Sequence, residues 1–208
     1  MKKRIVFTVT TDLNSDQRMI RICNSLQKAG YEIVLIGRKR KSSLPLVKQI
    51  FKQRRMNLFF EKGKLFYAEY NIRLCFVLLF VQCDAICSID LDTIVPGIIN
   101  AKLRGKKHFY DAHEWFPELP EVVSRPAIKK LWQWVEQFAF RNTSAAYTVS
   151  NSIAEQFELR YHQKVDVIRN VPVKYDISTS GKKKYEVVYQ GNLNVGRGLR
   201  EFILSMPE

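Results

Sequence analysis

A chain of 208 residues, 46% hydrophobic and 12% aromatic, can bury a sizeable core, and it contains neither low-complexity tracts nor a 20–50-residue repeat. The 34 Lys and Arg against 20 Asp and Glu give a net charge of +14, which favours an anionic partner: nucleic acid, a phosphate-bearing ligand or an anionic membrane leaflet. The longest apolar stretch, Leu74 to Val81, is far short of the ~20 residues that a spanning helix needs, so no transmembrane segment is expected.

The apolar opening breaks at Thr10-Thr11-Asp12, too early for a signal peptide, and Lys3–Val9 reads as a first strand. Met19, Ile22, Cys23 and Leu26 then recur at helical spacing, and Gly30 is placed to end that helix. Tyr31–Ile36 is the next strand, and this strand–helix–strand opening predicts a parallel sheet. The basic cluster Arg38–Lys41 precedes Leu44, Leu46, Val47, Ile50 and Phe51, spaced for the apolar face of a helix, with Lys48, Lys52, Arg54 and Arg55 nearby. A basic amphipathic segment of this kind suits a membrane surface better than a nucleic acid, although a solvated face is the plain alternative.

Phe59–Tyr67 is expected to form two short strands around a turn at Glu61–Lys64. Further strands are expected at Ala85–Ile89, Lys107–Asp111, Ala145–Val149 and Lys164–Ile168, with helices at Thr93–Leu103, Ala127–Phe140 and Asn151–Tyr161. Trp132, Val135, Phe138 and Ala139 share a helical stripe that reads as core. Cys23, Cys75, Cys83 and Cys87 have apolar neighbours and no CxxC spacing, as expected of reduced buried thiols in a cytoplasmic protein.

The pattern changes after Asn170. Residues 1–170 read as one Rossmann-like α/β domain and 171–184 as a linker ending in Lys182–Lys184. Residues 185–208 read as the first strand and helix of a second Rossmann-like domain, cut off before it can bury itself.

Four groups of residues invite chemistry. Asp111, His113 and Glu114 follow a strand, where an open parallel sheet presents residues to ligand. Adjacent residues on an extended loop diverge, so a shared metal is not expected, but one of them, His113 first, should face the crevice. The loop between the first strand and helix reaches the same crevice, making Asp12, Asn14 and Arg18 candidates for ligand contact or for a solvated helix start. Asp90-Leu91-Asp92 could hold a divalent cation, but the preferred reading has Asp92 capping the helix from Thr93 and Asp90 closing a strand. Gly191 to Gly198, between an expected strand and helix, can cradle a phosphate, with Arg197 supplying charge, or can be an ordinary turn. Its spacing is neither the dinucleotide nor the P-loop pattern, and no cofactor is expected.

Taken in order, these segments resemble a large family of retaining nucleotide-sugar glycosyltransferases with the GT-B fold. The resemblance runs through Asp16-x-Arg18 with Gly30, Ile89–Thr93, Tyr110-Asp111-Ala112-His113-Glu114, Thr148–Ser152, Val167–Pro172 and the stretch from Tyr189 to Leu199. It implies that the amino-terminal domain holds the acceptor and the carboxyl-terminal domain the nucleotide-sugar. His113 would contact the transferred sugar, and Gly191, Asn192, Arg197 and Gly198 would bind donor phosphate. Asn192 stands where the family usually has arginine, and Thr10–Asn14 replaces a glycine-rich loop.

The resemblance implies a metal-independent hexosyltransferase serving cell-surface polysaccharide synthesis, with a glycan or lipid-linked acceptor. It would be cytoplasmic and peripheral on the inner face of the cell membrane, would need no nucleic acid, and would be inactive without the rest of its donor domain. The competing reading is a non-catalytic basic Rossmann-like module that docks on an anionic membrane or nucleic acid.

Overall fold

The computed structural model describes residues 2–171, 174, 187–191 and 198–206. By its contacts the chain divides into Met1–Asn170 and Val171–Glu208. The first unit is built on strands β1 (Arg4–Thr8), β2 (Glu32–Lys39), β3 (Lys52–Asn57), β4 (Ala85–Ile89), β5 (Lys107–Ala112), β6 (Ala145–Thr148) and β7 (Val165–Val167). They form one sheet in the order β3-β2-β1-β4-β5-β6-β7, every pair parallel. The helices are α1 (Gln17–Lys28), α2 (Gly63–Phe80), α3 (Ile94–Leu103), α4 (Pro120–Val123), α5 (Pro126–Asn142) and α6 (Asn151–Tyr161). This is the parallel α/β, Rossmann-like architecture expected from the alternating pattern.

Strands buried on both faces need continuous apolar runs, and β4, with all five residues buried, is the limiting case. Side-chain alternation then assigns the helices to faces. Phe7, Ile33, Leu35, Cys87 and Ile89 pack with Met19 and Cys23 of α1. Val6, Val34, Ile36 and Ile86 point the other way and pack with Phe66, Tyr70, Leu74 and Leu78 of α2. On that second face Tyr110 and Ala112 meet Ile94 and Ile98 of α3, Val135 and Ala139 of α5 and Phe157 of α6. Trp132 and Phe138 pack against the same cluster, as their helical stripe predicts.

Two expected elements of the first unit fail. Residues 41–51 are not helical, and Leu44, Val47 and Ile50 are exposed on an irregular segment. Only Phe51 is buried, against the α1 face, and the following basic run is strand β3, at the sheet edge. Edge strands tolerate Lys and Arg because one side of the strand has no neighbouring strand to exclude water.

The turn expected at Glu61–Lys64 is instead the start of α2, a helix of 18 residues, with Gly63 at φ 74. The carboxylate of Glu69 accepts hydrogen bonds from the backbone of Phe59 and Phe60, so that stretch needs no strand partner. Cys23, Cys83 and Cys87 are buried, Cys75 is half-buried, and all four thiols are free.

In the second unit, residues 187–190 of the expected strand are described and are not in strand. A short helix, α7 (Leu199–Leu204), follows Gly198, which sits at φ 63, a backbone conformation that glycine adopts without strain. Most of the expected linker lies outside the described residues.

Candidate active site

The carboxyl ends of β1, β4, β5 and β6 bring four loops together. The β1–α1 loop is folded by its own polar side chains. Asp16 caps α1, accepting from the backbone N–H of Met19, and also accepts from the Thr11 hydroxyl at 2.6 Å. One carboxylate oxygen of Asp12 accepts from Asn14 N–H and from Arg55 at 2.6 Å, and the other accepts from Ser43. Asn14 exchanges two hydrogen bonds with the backbone of Pro45 and Val47. Asp12 and Asn14 therefore fasten the 43–47 segment over the sheet edge.

Arg18 points inward along the α1 face. One of its terminal nitrogens lies 2.6 and 2.7 Å from the two carboxylate oxygens of Asp111, which is fully buried. Position 111 faces α1 because it shares its side of the sheet with Ile89 and Tyr147, through the parallel register β4-β5-β6. The pair fixes the end of β5 from beneath.

The side chain above it is His113. Its backbone N–H and that of Glu114 both donate to one carboxylate oxygen of Asp90, at 3.0 and 3.2 Å. The other Asp90 oxygen lies 3.9 Å from Nδ1 of His113, beyond hydrogen-bond reach, and the imidazole is 36% exposed. Partial burial and the nearby Arg18 guanidinium hold the imidazole below its ordinary pKa. It is thus neutral at physiological pH, with one nitrogen able to donate and one able to accept. Glu114 is exposed beside it.

Asp90 sits at φ 55 and ψ 177, a region that is essentially glycine's. Burial, then Asp92, Asp111 and Glu114, raise its carboxyl well above the usual range. Asp92 does not cap α3: the N-cap position belongs to Thr93, which makes no side-chain capping bond. The Asp92 carboxylate instead accepts from the Thr10 hydroxyl at 2.5 Å, and burial lifts its pKa to about 6. Both carboxylates of the Asp-x-Asp pair are thus engaged within the fold, and no metal-ligating cluster occurs among the described residues.

The fold brings His113, Glu114, Asp111 and Arg18 to one place, with Arg18 and Asp111 buried and Glu114 exposed. The sequence offers Asp90 only as a cation ligand or a strand end, not as the clamp on a loop 23 residues away, which depends on its backbone conformation. Gly191 and Gly198 lie in the second unit, and Asn192 and Arg197 fall outside the described residues.

Residues 16–171 match the family model described as Glycosyltransferase Family 4. Comparison with curated proteins gives no match. Among solved structures the chain is similar to a sucrose-phosphate synthase from Thermosynechococcus elongatus (12% identity, TM-score 0.59, covering 81% of this chain and 48% of that one). It is also similar to a UDP-N-acetylglucosamine 2-epimerase (13%, 0.56, 86% and 53%). A third similar structure is a ugt transferase from Siraitia grosvenorii in complex with UDP (10%, 0.52, 86% and 53%). At such identities the likeness is one of fold, and the chain spans about half the length of each.

Proposed function

The chain belongs to glycosyltransferase family 4, and from that premise we propose that it is the acceptor-side half of an enzyme that transfers a sugar, with retention, from a nucleotide-sugar. The acceptor is a glycan or a lipid-linked glycan of a cell-surface polysaccharide, met at an anionic membrane. The observation that carries this reading is His113. It is a neutral, partly exposed imidazole at the carboxyl end of a central strand, on a backbone clamped by Asp90. In this role its ring donates a hydrogen bond to a hydroxyl of the transferred sugar and orients it against the acceptor.

Donor phosphate belongs to the stretch from Gly191 to Gly198, where Arg197 offsets charge on the leaving diphosphate. No metal is needed in this reading: Asp90 and Asp92 already serve the loop and Thr10. The family match does not favour a non-catalytic basic module. The similar structure solved with UDP supports a nucleotide-sugar as donor.

The test is sugar transfer by a protein carrying both halves, offered a panel of nucleotide-sugars with lipid-linked and free glycan acceptors. Product anomers are read by NMR. Expected are a product with the donor's anomeric configuration and a loss of roughly 10²–10³ in turnover for His113→Ala, of the size seen on losing one transition-state donor. An inverted product, or full turnover in His113→Ala, refutes the reading.

A further inference from the structure

Helix α5 turns one carboxylate into the core. Glu136 falls on its inward stripe with Val135, Ala139 and Phe140 and is fully buried, where a charge is costly unless it is paired. Its Oε2 accepts from the Tyr161 hydroxyl and lies 3.6 Å from Arg160, both on α6. Its Oε1 has no hydrogen-bond partner among the described residues, and neither has the buried hydroxyl of Tyr110 on β5. The titratable and charged groups that face Glu136 are thus Tyr110 from β5, Arg160 and Tyr161 from α6, and Glu118 from the short turn Phe116–Glu118.

Arg160 joins this buried acid to the loop of His113. Its guanidinium lies 3.8 Å from Glu118 and 5.1 Å from the centre of the Trp115 ring, a cation–π contact. Trp115 follows His113 by two residues, and Glu118 also pairs with Lys129 of α5 at 2.6 Å. The segment that carries His113 is therefore fastened on both sides. Asp90 holds the backbone of residues 113 and 114, and Arg160 holds Trp115 and Glu118. The place of Arg160 depends in turn on Glu136. The arginine side chain is 35% exposed, and Glu118 shares its charge with Lys129, so the long stem can carry the guanidinium to water. An ionised Glu136 draws it inward. A protonated Glu136 has no charge with which to hold it.

We propose that Glu136 and Arg160 are positioning residues for His113, the ionised carboxylate fixing the guanidinium against Trp115 and Glu118 and the neutral acid releasing it. Burial raises the pKa of Glu136 to about 7, so both forms are populated near neutral pH. The folded pKa lies above the unfolded value near 4.3, so this group's stabilising contribution to the whole fold is complete below that pH and is lost as the pH rises through about 7. Order in the His113 segment runs the other way and grows as Glu136 ionises. Opposite responses separate a positioning role from a merely structural one. The inference rests on the proposed function only for what His113 does, and its test uses no sugar transfer, so either can fail alone.

The experiment is NMR of the isotope-labelled 208-residue protein from about pH 5.5 to 8.5, following the Glu136 carboxyl, the Trp115 indole and the His113 amide. The expected result is one common step near pH 7, beside the lower step of the His113 ring itself. Glu136→Gln should remove the common step from Trp115 and His113. Arg160→Met should move the Glu136 midpoint up, because a cation that lowers it is gone, while Trp115 and His113 cease to follow it. Tyr161→Phe should also move the midpoint up, by loss of a hydrogen bond to the carboxylate, and here Trp115 and His113 should follow. Circular dichroism confirms that the variants fold, and the Tyr161→Phe arm decides even if one of the others does not. The proposal is overturned if Trp115 and His113 keep the step in Glu136→Gln, or still follow Glu136 in Arg160→Met. It is equally overturned if Glu136 titrates in the parent or in Tyr161→Phe without moving them, or keeps one form across the whole range.

Discussion

One terminal nitrogen of Arg18 lies 2.6 Å and 2.7 Å from the two oxygens of Asp111, and the carboxylate it neutralises has no exposure to solvent. The ion pair ties the first helix to the strand that carries His113. A buried pair adds little net stability against a well-packed apolar substitute, but removing one partner strands the other charge. Arg18→Met should therefore destabilise the fold by about 3–5 kcal/mol. Adding Asp111→Asn should return a large part of that loss, because the stranded charge goes with it. Urea unfolding of the single and double variants measures both. A single variant within ~1 kcal/mol of the parent would mean that the pair is not buried as described.

The sheet was legible because its strands are apolar on both faces and its helices carry a 3.6-residue period. Strand β3 was hidden. As an edge strand it reads Lys52-Gln53-Arg54-Arg55-Met56-Asn57, with the charge pattern of a solvated patch. Helix α2 was hidden for the opposite reason: apolar all round, its sequence has no period that separates helix from strand. At the site, His113 stood out because a strand end is where a parallel sheet presents side chains. The clamping role of Asp90 did not, since its carboxylate reaches residues 23 and 24 positions away through a turn that the sequence does not mark with glycine.

Gly97 of α3 lets that helix approach β4 and β5. A Cβ there would stand 2.2 Å from the Ser88 hydroxyl and 2.9 Å from Nε2 of His108. Gly97→Ala should cost about 1–3 kcal/mol by overpacking, despite alanine's better helix propensity. Ser88→Ala, which removes the nearest atom, should restore part of the loss when combined with it. Thermal melts of the three variants decide; a Gly97→Ala protein as stable as the parent would show that α3 can move away.

The same neighbour, His108, provides a pH test. It is 2% exposed, its ring lies 3.1 Å from the Ser88 hydroxyl and 3.2 Å from that of Thr143, and burial lowers its pKa to about 3. Because the folded pKa lies below the unfolded value near 6.5, the neutral ring's contribution is whole above that pH. It is lost as the pH falls from about 6.5 towards 3, by at most about 1.4 kcal/mol per unit. Asp90 and Asp92, with raised pKa values, act in the opposite sense, so the parent's own profile is mixed. The clean measurement is the stability difference between the parent and His108→Gln from pH 7.5 to 4.5. The glutamine variant should gain on the parent as the pH falls. A constant difference would mean that the ring takes up its proton in the folded protein as readily as in the unfolded one.

Asp90 combines two separable effects, a backbone at φ 55 and ψ 177 and a carboxylate holding two N–H groups of the His113 loop. Three substitutions divide them. Asn keeps an acceptor, Gly relieves the backbone but loses the acceptor, and Ala loses the acceptor without relieving the backbone. At neutral pH Asn should match or exceed the parent, because the raised carboxyl pKa shows that ionising Asp90 is unfavourable in the fold. That advantage should widen as the pH rises through the folded pKa, since a raised acid loses its stabilising contribution in that direction. Gly should lose about 1–3 kcal/mol for two orphaned N–H groups but regain the ~1–3 kcal/mol of strain that aspartate carries at this φ, less the ~0.5–1 kcal/mol that glycine gives up in chain entropy, and so lie near the parent. Ala keeps the parent's strain and loses the acceptor, so it should fall about 1–3 kcal/mol below the parent, and below Gly. Hydrogen exchange at the amides of residues 113 and 114 supplies a local readout: slow in the parent and Asn, fast in Gly and Ala. If Ala proves as stable as Gly, the positive φ is not enforced by the fold, and the clamp beneath His113 rests on the carboxylate alone.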